Sequence, residues 1–413
     1  MRAVSHTAAG VSVQIEDVWR RQAPYVLAAL LRGGRPLADC EDAAQEALIA
    51  ALRQWTSGGI PRNPRGWLIR VAGRRLVDMT RTDTARARRE LRDAYTSEQD
   101  RPTGWADRTT DRDDSLQLLV LCCHPSLSAP AAVALTLRAV AGLTTEQVAA
   151  GLLIPTTTAA QRISRAKKSL AGARFGPVAP AELPQRLHAV RHVLHLTFTA
   201  GSSAGAGPDL IDTGLTRNAI RLTDQLHRAL PRDAETAGLL ALMLLVDART
   251  PARTEQAALV PLADQDRSRW HRDQIDRAVI LLEDALPRGP VGPFQLQAAI
   301  AAVHATAATF ADTDWAEILQ LYRMLQDVAP SPAVDLGAAI ALSEVDGARA
   351  GLAALEPLLR QRPRDHRIIA ARAHLLEAIG DAEAAECYAQ AAALTDSIPE
   401  QHYLHTKAAA LRR

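Results

Sequence analysis

The sequence predicts an all-α protein of several domains. Apolar residues recur at the three- and four-residue spacing of amphipathic helices along almost all of the 413 residues. Alternating runs of β-branched residues, which are typical of strands, are almost absent. Because the chain is longer than a usual single domain, we expect about two to four domains.

Three polar or Gly- and Pro-rich stretches, at residues 56–64, 93–114 and 172–184, interrupt the helical pattern. The last two separate large parts of the chain. The predicted organisation is a helical unit at 12–92, an acidic linker at 93–114, a second helical unit at 115–172 and a long helical region at 185–413.

Bulk properties narrow the class of protein. No apolar run approaches the roughly 20 residues of a membrane-spanning helix, and the N-terminus lacks the layout of a secretory signal. We therefore expect a cytoplasmic protein with no membrane partner. The sequence also contains no nucleophile–base set and no phosphate-binding Gly loop. We expect neither an enzyme nor a bound cofactor.

The four cysteines, Cys40, Cys122, Cys123 and Cys387, fit neither a disulfide ladder nor a paired zinc site. Cys122 and Cys123 do precede His124, and together they offer three possible metal ligands. No second ligand pair follows at a suitable spacing, and buried cysteines are common. We predict free thiols and no metal.

The distribution of charge is more informative than the net charge of +2. Basic residues far outnumber acidic ones at 62–92, and residues 147–181 contain no Asp or Glu at all. Two separate basic segments favour binding to nucleic acid. Solvated helix faces in an Arg-rich protein are the alternative.

Residues 143–170 predict a helix-turn-helix. Thr144 can cap the first helix and form a capping box with Gln147, and Thr156 or Thr157 can cap the second. The second helix would enter the major groove, with its early exposed positions on base edges and its later cations on phosphates. A basic amphipathic hairpin inside a bundle would show the same pattern. The predicted DNA-binding residues are Thr158, Ala160, Gln161, Arg162, Arg165, Lys167 and Lys168.

The first unit contains two further blocks. In the predicted helix at 39–48, Asp42, Gln45 and Glu46 share an exposed face that suits a basic partner, although an acidic first turn also simply favours a helix. In the block at 63–78, a turn precedes a helix with one basic face. Trp67 of that helix is more typical of a core than of a ligand site.

The long third region predicts helical hairpins at 334–359, with a break at Asp346 and Gly347, and at 365–394. In the second hairpin, Ala385, Tyr388 and Ala392 loosely follow the small–large spacing of tetratricopeptide repeats. Ordinary packing of a helical bundle remains the alternative.

The blocks together resemble the extracytoplasmic-function group of bacterial sigma factors, which keep only the second and fourth sigma domains. The resemblance rests on the shared order of D-x-E-D-x-x-Q-E at 39–46, P-x-x-W-L-x-x-x-A at 64–72, an acidic linker and a terminal helix-turn-helix. Further segments resemble the subgroup with a long C-terminal helical extension. These segments are 121–125, 135–138, 160–162, 264–270, 295–300 and 312–315.

The resemblance implies an alternative sigma factor that binds core RNA polymerase and promoter DNA. Asp42, Gln45 and Glu46 would bind the β′ coiled coil, the second module would meet the β flap, and the linker at 93–114 would thread the RNA channel. The extension would be regulatory and could take a regulatory protein or ligand. The residues implied at the −10 element are Asn63, Arg70, Arg74, Arg75 and Arg81, and those implied at a domain contact are Asp266, Arg269 and Trp270.

Two other functions remain open from the sequence alone. A helix-turn-helix regulator with a repeat-type sensor domain would bind DNA without polymerase. An interaction scaffold would use both basic units structurally. The acidic face of Asp42 and Glu46 separates the first alternative from a sigma factor, because only a sigma factor needs that face to hold polymerase.

Overall fold

A computed structural model describes residues 3–90, 115–152, 154–170, 173, 181–202, 206–207, 213–255 and 258–412. The predicted all-α class is confirmed, since the regular structure in these residues is almost entirely helical. The predicted acidic linker at 93–114 lies outside the described residues. The chain divides into two compact units, residues 1–193 and 194–413, which are called unit 1 and unit 2 below.

Unit 1 contains two groups of helices and the first half of an eighth helix. The helices are α1 (Ala3–Leu31), α2 (Leu37–Gly58), α3 (Pro64–Glu90), α4 (Ser115–Cys122), α5 (Ala129–Ala139), α6 (Thr145–Gly151), α7 (Thr156–Ser169) and α8 (Leu183–Ser202). The first group, α1 to α3, packs together, and α4 to α7 form the second group, called the helix-turn-helix group below. Helix α1 also packs against α4 and α5 of the second group.

Small side chains let α2 approach its neighbours closely. Ala43, Ala44, Ala47 and Ala51 are all buried, at the spacing of one helix face. Trp55 continues this face and packs edge-on against Trp67 of α3, with 5.1 Å between the ring centroids. The prediction that Trp67 is a packing residue agrees with this contact.

The break between α2 and α3 is shorter than predicted. The sequence placed it at 56–64, but α2 continues to Gly58. Gly59 then ends the helix with a φ of +76°, which glycine adopts at little cost, and its N–H bonds to the carbonyl of Trp55. Only residues 59–63 form the loop before α3, because polar residues are tolerated on the exposed last turn of α2.

The helix-turn-helix is formed by α6 and α7. The predicted capping box is present: Gln147 N–H donates to Thr144 Oγ1 at 3.2 Å, and Thr144 N–H donates to Gln147 Oε1 at 2.9 Å. The predicted cap of α7 by Thr156 or Thr157 is wrong. Pro155 is the N-cap residue and no side chain caps the helix. Proline's fixed φ restricts the backbone at the point where α7 begins.

Unit 2 continues from the second half of α8. Its helices are α9 (Thr213–Ala229), α10 (Ala234–Asp247), α11 (Arg272–Ala285), α12 (Pro293–Thr306), α13 (Trp315–Val328), α14 (Pro332–Asp346), α15 (Ala348–Gln361), α16 (His366–Ala378), α17 (Ala384–Leu394) and α18 (Ile398–Ala410). Within the described residues of this unit, four strands of two residues each accompany them. β1 (Ala206–Gly207) pairs in parallel with β4 (Asp396–Ser397), and β2 (Thr254–Glu255) pairs antiparallel with β3 (Ala258–Leu259).

Both predicted hairpins of the C-terminal region are present. Helices α14 and α15 form the first, broken at Gly347 with a φ of +89°, and α16 and α17 form the second. The two hairpins pack on each other through α15 and α16. Tyr388, 1% exposed, fills the core of the second hairpin. This stacking of helix pairs is typical of tetratricopeptide-like repeats.

Glycine allows another close helix crossing in unit 2. A Cβ atom on Gly238 of α10 would lie 2.8 Å from the backbone nitrogen of Gln295 in α12. Backbone atoms cannot move aside as a side chain can, so α10 and α12 pack this closely only with glycine at 238. Among the described helices, none is long and apolar enough to cross a membrane.

Candidate polymerase and promoter interface

The acidic face of α2 is present as an open surface. Asp42 and Glu46 are exposed and Gln45 is half-buried, whereas Ala43, Ala44 and Ala47 face the core. The i, i+3 and i+4 spacing puts the three polar side chains side by side on the helix. Two carboxylates and an amide on one exposed face can bind a basic surface.

Glu41, next to this face, was not singled out from the sequence. Its side chain is 6% exposed and lies between two cations of the helix-turn-helix group. Oε1 accepts a hydrogen bond from Arg138 Nε at 2.9 Å. Oε2 lies 2.8 Å from Lys167 Nζ, as an ion pair that is not aligned as a hydrogen bond. One buried carboxylate therefore joins α2 to both α5 and α7.

Arg138 is held from a second side. Its Nη1 donates to the carbonyl of Leu143 at 2.8 Å, just before α6 begins. The side chain of Arg138 therefore links the buried side of α2 to the segment from which the helix-turn-helix begins. No local pattern in the sequence indicates this link, because Glu41 and Arg138 are 97 positions apart.

Four of the five predicted −10 residues lie on α3, and Asn63 directly precedes this helix. Arg70, Arg74 and Arg75 are exposed and form the basic face, while the side chain of Arg81 lies outside the described residues. Asn63 is exposed, but its side chain is engaged: Oδ1 accepts a hydrogen bond from Gly66 N–H at 2.8 Å. Asn63 is thus the N-cap of α3.

A further arginine, which no sequence pattern indicated, lies at the start of α3. The guanidinium of Arg65 sits 3.9 Å from the centre of the Tyr25 ring on α1. Such a cation–π contact orients the first turn of α3 against α1. Arg65 is therefore a positioning residue for the basic face.

The predicted −35 residues lie along α7 with different exposure. Ala160, Gln161, Arg165 and Lys168 are exposed, and Thr158, Arg162 and Lys167 are half-buried. Ala159, Ile163 and Ala166 are buried. Lys167 differs from the others because it is paired with Glu41.

The three cysteines of unit 1 are buried free thiols. Burial raises the pKa of Cys40 and of Cys123 to about 12, so both stay protonated and unreactive near neutral pH. Cys122 has a raised pKa for the same reason. Burial and the nearby Arg186 lower the pKa of His124. Within the described residues, no group of three metal-ligating side chains comes together.

The predicted domain-contact residues are not equally accessible. Asp266 and Arg269 are exposed, and Asp266 Oδ1 accepts a hydrogen bond from Ser268 N–H at 2.9 Å. Trp270 is only 3% exposed, and the guanidinium of Arg267 lies 4.8 Å from the centre of its ring. Trp270 therefore does not belong to an open surface.

Comparison with known families agrees with this geometry. Residues 18–87 match the family model for sigma-70 region 2, and residues 117–170 match that for sigma-70 region 4. Residues 186–286 match a family of unknown function (DUF6596). The two sigma matches cover the acidic face of α2, the basic face of α3 and the whole helix-turn-helix.

Whole-chain comparison gives a relative that aligns with almost the whole chain. An uncharacterized protein from Rhizobium meliloti (strain 1021) is 38% identical over 392 residues, which is 92% of each chain. No solved structure matches the chain. With sigma regions 2 and 4 in this order and a helical extension behind them, the chain belongs to the sigma-70 family as an alternative sigma factor of the extracytoplasmic-function type, and it serves promoter-directed transcription with core RNA polymerase.

Proposed function

We propose that Asp42, Gln45 and Glu46 bind the β′ coiled coil of core polymerase, and that Glu41 holds the two promoter-binding modules together until polymerase is bound. The acidic face supports the first half of the proposal because it is open and lies beside a well-packed core. The second half rests on one observation, the buried bridge from Glu41 to Arg138 and Lys167.

The promoter contacts follow from exposure and charge. Arg70, Arg74, Arg75 and Arg81 would contact the −10 element, and Asn63 would add to them from the preceding loop. On α7, Thr158, Ala160, Gln161 and Arg162 would meet base edges of the −35 element, while Arg165, Lys167 and Lys168 would contact phosphates. The β flap would hold the helix-turn-helix group over its site.

The bridge is incompatible with simultaneous binding of both elements. Two elements centred near −10 and −35 are separated by roughly 25 base pairs, or about 80 Å of straight duplex. Helix α7, with 14 residues, is only about 21 Å long. Because Lys167 of α7 is 2.8 Å from Glu41 of α2, the modules must separate before both elements are read.

Separation also changes what Lys167 can do. In the bridged form its side chain is 20% exposed and its ammonium group is paired with Glu41. A phosphate contact needs this group free, so opening of the bridge would release a DNA-binding cation at the same time. Binding of polymerase to the neighbouring acidic face of α2 would supply the free energy for this opening.

The core-binding half is tested by co-elution with purified core polymerase and by run-off transcription. Asp42→Arg combined with Glu46→Arg should abolish both, because two repulsive charges replace two attractive ones, while helicity is unchanged. Undiminished co-elution of the double variant would refute the assignment of this face.

The bridge is tested by energy transfer between dyes on Ile49→Cys in α2 and Ser169→Cys in α7. Both positions are exposed, and the native cysteines are buried and should not react. We expect high transfer in the free protein and low transfer after core binding. Glu41→Gln should lower the transfer in the free protein, whereas Asp39→Asn, a carboxylate change on the same helix, should not. Equal transfer with and without polymerase would rule the bridge out as a restraint.

A further inference from the structure

A cavity in unit 2 is lined by residues of α13, α14, α16 and α18 and by the loops beside them. Its volume is about 540 Å³, within the range of roughly 300–1,000 Å³ that is typical of pockets for small organic ligands. All of its lining residues belong to unit 2. The promoter and polymerase contacts proposed above belong to unit 1, so they do not account for this cavity.

Aromatic rings form much of the wall. Trp315 packs edge-on against Phe310, with 5.4 Å between the ring centroids, and both residues line the cavity. Tyr322 of α13 and Tyr403 of α18 add two further rings. Because the face of an aromatic ring carries partial negative charge, such a wall attracts cations as well as apolar groups.

One face of α14 brings an aromatic ring and a carboxylate into the same wall. Gly337, Ile340 and Glu344 all line the cavity, and their spacing of three and four residues puts them on one side of the helix. A Cβ atom on Gly337 would lie 2.5 Å from Tyr322 Oη. Glycine at 337 therefore leaves room for the phenol ring of Tyr322 to pack over this face.

Two carboxylates of the wall have acceptor oxygens to spare. Glu344 is exposed and makes neither a hydrogen bond nor an ion pair with a described residue. Glu400 Oε2 accepts a hydrogen bond from Thr395 Oγ1 at 2.7 Å and lies 3.4 Å from His366 Nε2. Within the described residues, Glu400 Oε1 accepts no hydrogen bond. Both carboxylates can therefore accept hydrogen bonds from a ligand.

The basic side chains of the wall do not neutralise both carboxylates. Among the residues that line the cavity, Arg367 is the one arginine. Its Nε and Nη2 donate to the two carboxylate oxygens of Asp365, at 3.3 and 3.4 Å. His366 and His374 also line the cavity, but an imidazole carries no permanent charge near neutral pH.

The arginines behind the wall are engaged elsewhere. Burial lowers the pKa of Arg253, and the charge of Glu400 opposes this shift. In the described part of the chain, however, Arg253 forms no ion pair with Glu400, and its Nη1 donates to the carbonyl of Ser202 at 2.6 Å. Arg267 Nη1 donates to the carbonyl of His304 at 2.7 Å. Neither arginine lines the cavity, so its wall keeps an excess of negative charge.

We propose that unit 2 binds a small amphipathic amine in this cavity, with its ammonium group on Glu344 and its apolar body against Trp315, Tyr322 and Ile340. Glu400 adds a second negative charge to the wall. An ammonium group donates charge-assisted hydrogen bonds to a carboxylate and is attracted to aromatic faces. Such a ligand gives the extension a chemical input of its own, independent of the contacts with promoter and polymerase.

The test is isothermal titration of the full-length protein near pH 7. The probes 4-phenylbutylamine, 4-phenylbutanol and 4-phenylbutyrate share one shape and differ in charge, and n-butylamine lacks the ring. We expect 4-phenylbutylamine to bind at least about tenfold more tightly than each of the other three probes. Equal affinities for the amine and the alcohol, tighter binding of the carboxylate, or no binding of any probe would overturn the proposal.

A charge variant locates the ammonium group. Glu344→Gln should weaken binding of 4-phenylbutylamine at least about fivefold and leave binding of 4-phenylbutanol unchanged, because only the charge is lost. The melting temperature should not fall, since Glu344 has no partner among the described residues. Glu356→Gln, an exposed carboxylate of α15 outside the cavity, is the matched control and should bind as the wild type does. Equal affinities of Glu344→Gln and the wild type for the amine would refute the assignment of Glu344.

A second variant tests the cavity itself. Ile340 is 38% exposed, so the fold should tolerate Ile340→Lys. The new ammonium group would repel the amine, and we expect its affinity to fall at least about tenfold, with a smaller loss for the alcohol. Ile280→Lys, on exposed Ile280 of α11, is the control for an added charge elsewhere in unit 2. Equal effects of the two lysine variants would place the binding site outside the cavity.

Discussion

Asn63 Oδ1 accepts a hydrogen bond from the backbone N–H of Gly66 at 2.8 Å, and this contact closes the first turn of α3. A residue implied at the −10 element therefore also has a structural task. The two roles make different demands on the side chain: capping needs only an acceptor oxygen, whereas recognition of a base also uses the amide donors.

Asn63→Ala should lower the free energy of unfolding by about 1 kcal/mol, because the cap is lost. Asn63→Asp keeps the acceptor and should retain stability. If Asn63 also contacts DNA, Asn63→Asp will still impair promoter opening in the polymerase complex. Normal opening by the stable Asp variant would leave Asn63 with the capping role alone. Denaturant unfolding and run-off transcription together give both readouts.

The second prediction separates a base contact from a phosphate contact on α7. Arg162→Ala should cost about 1–3 kcal/mol and relax the preference at one base pair, whereas exposed Lys168→Ala should weaken all sequences alike and lower the salt slope by about one. The measurement is binding of holoenzyme to promoter variants at several salt concentrations. Equal and sequence-independent losses from both variants would make Arg162 a phosphate contact.

Local sequence signals predicted much of the architecture. The capping box of Thr144 and Gln147 and the hairpin break at Gly347 involve residues close in sequence, so composition and spacing reveal them. The Glu41 bridge could not be predicted in this way. Glu41 stands beside residues of the acidic face, and its burial depends on α5 and α7 packing against α2.

Arg267 shows the same limit in unit 2. It lies among many arginines of an Arg-rich sequence, and only the fold brings its Nη1 to the carbonyls of His304 and Ala307 at the end of α12. The resemblance to sigma factors instead implies Asp266, Arg269 and Trp270 as contact residues in this region. Burial of Trp270 beneath Arg267 explains why an aromatic residue in a charged segment need not belong to a contact surface.

The third prediction concerns pH and the link between α16 and α18. Glu377 accepts hydrogen bonds from Tyr388 Oη at 2.6 Å and Lys407 Nζ at 3.0 Å. Burial by itself would raise the pKa of Glu377, but these two hydrogen bonds outweigh it and lower the pKa below its ordinary value of 4.5. For Lys407, burial is likewise outweighed by Glu377, and the pKa rises above 10.5.

A carboxyl group whose pKa is lower in the folded than in the unfolded state stabilises the fold at pH values above its unfolded-state pKa. This contribution is lost as the pH falls through the folded-state pKa. Lys407, whose pKa is raised in the folded state, stabilises the fold at pH values below its ordinary pKa of 10.5. This contribution is lost as the pH rises through the folded-state pKa. Glu377→Gln should therefore reduce the free energy of unfolding by about 1 kcal/mol near neutral pH, with a smaller deficit below about pH 4.

The control is Glu386→Gln, an exposed carboxylate on neighbouring α17. Its variant should track the wild type at every pH. The measurement is urea unfolding between acidic and neutral pH. A deficit of Glu377→Gln that stays constant down to the lowest pH would show that the ionised carboxylate does not stabilise this contact.

The last prediction concerns the extension as a whole. A chain that ends at Gly176 loses the first half of α8, which belongs to unit 1. We expect it still to fold, because the buried residues of α1 to α7 lie between Ile15 and Leu170. A domain tethered to its target acts at a high effective concentration, so even weak contacts restrain the modules. We expect truncation to change run-off transcription several-fold while binding of core polymerase and promoter DNA is retained.

A chain that ends at Ser202 keeps α8 complete, and with it the Arg186 side chain that lies near His124. The two truncations together separate an effect of α8 from an effect of the rest of the extension. If exposed Asp266 and Arg269 form the predicted contact, Asp266→Arg with Arg269→Glu in the full chain should reproduce the change in transcription without loss of helicity. Unaltered transcription and unaltered polymerase affinity in both truncated chains would mean that the extension works as an independent module. Removal of a tethered restraint would instead change the ratio of molecules with the Glu41 bridge closed to molecules with it open.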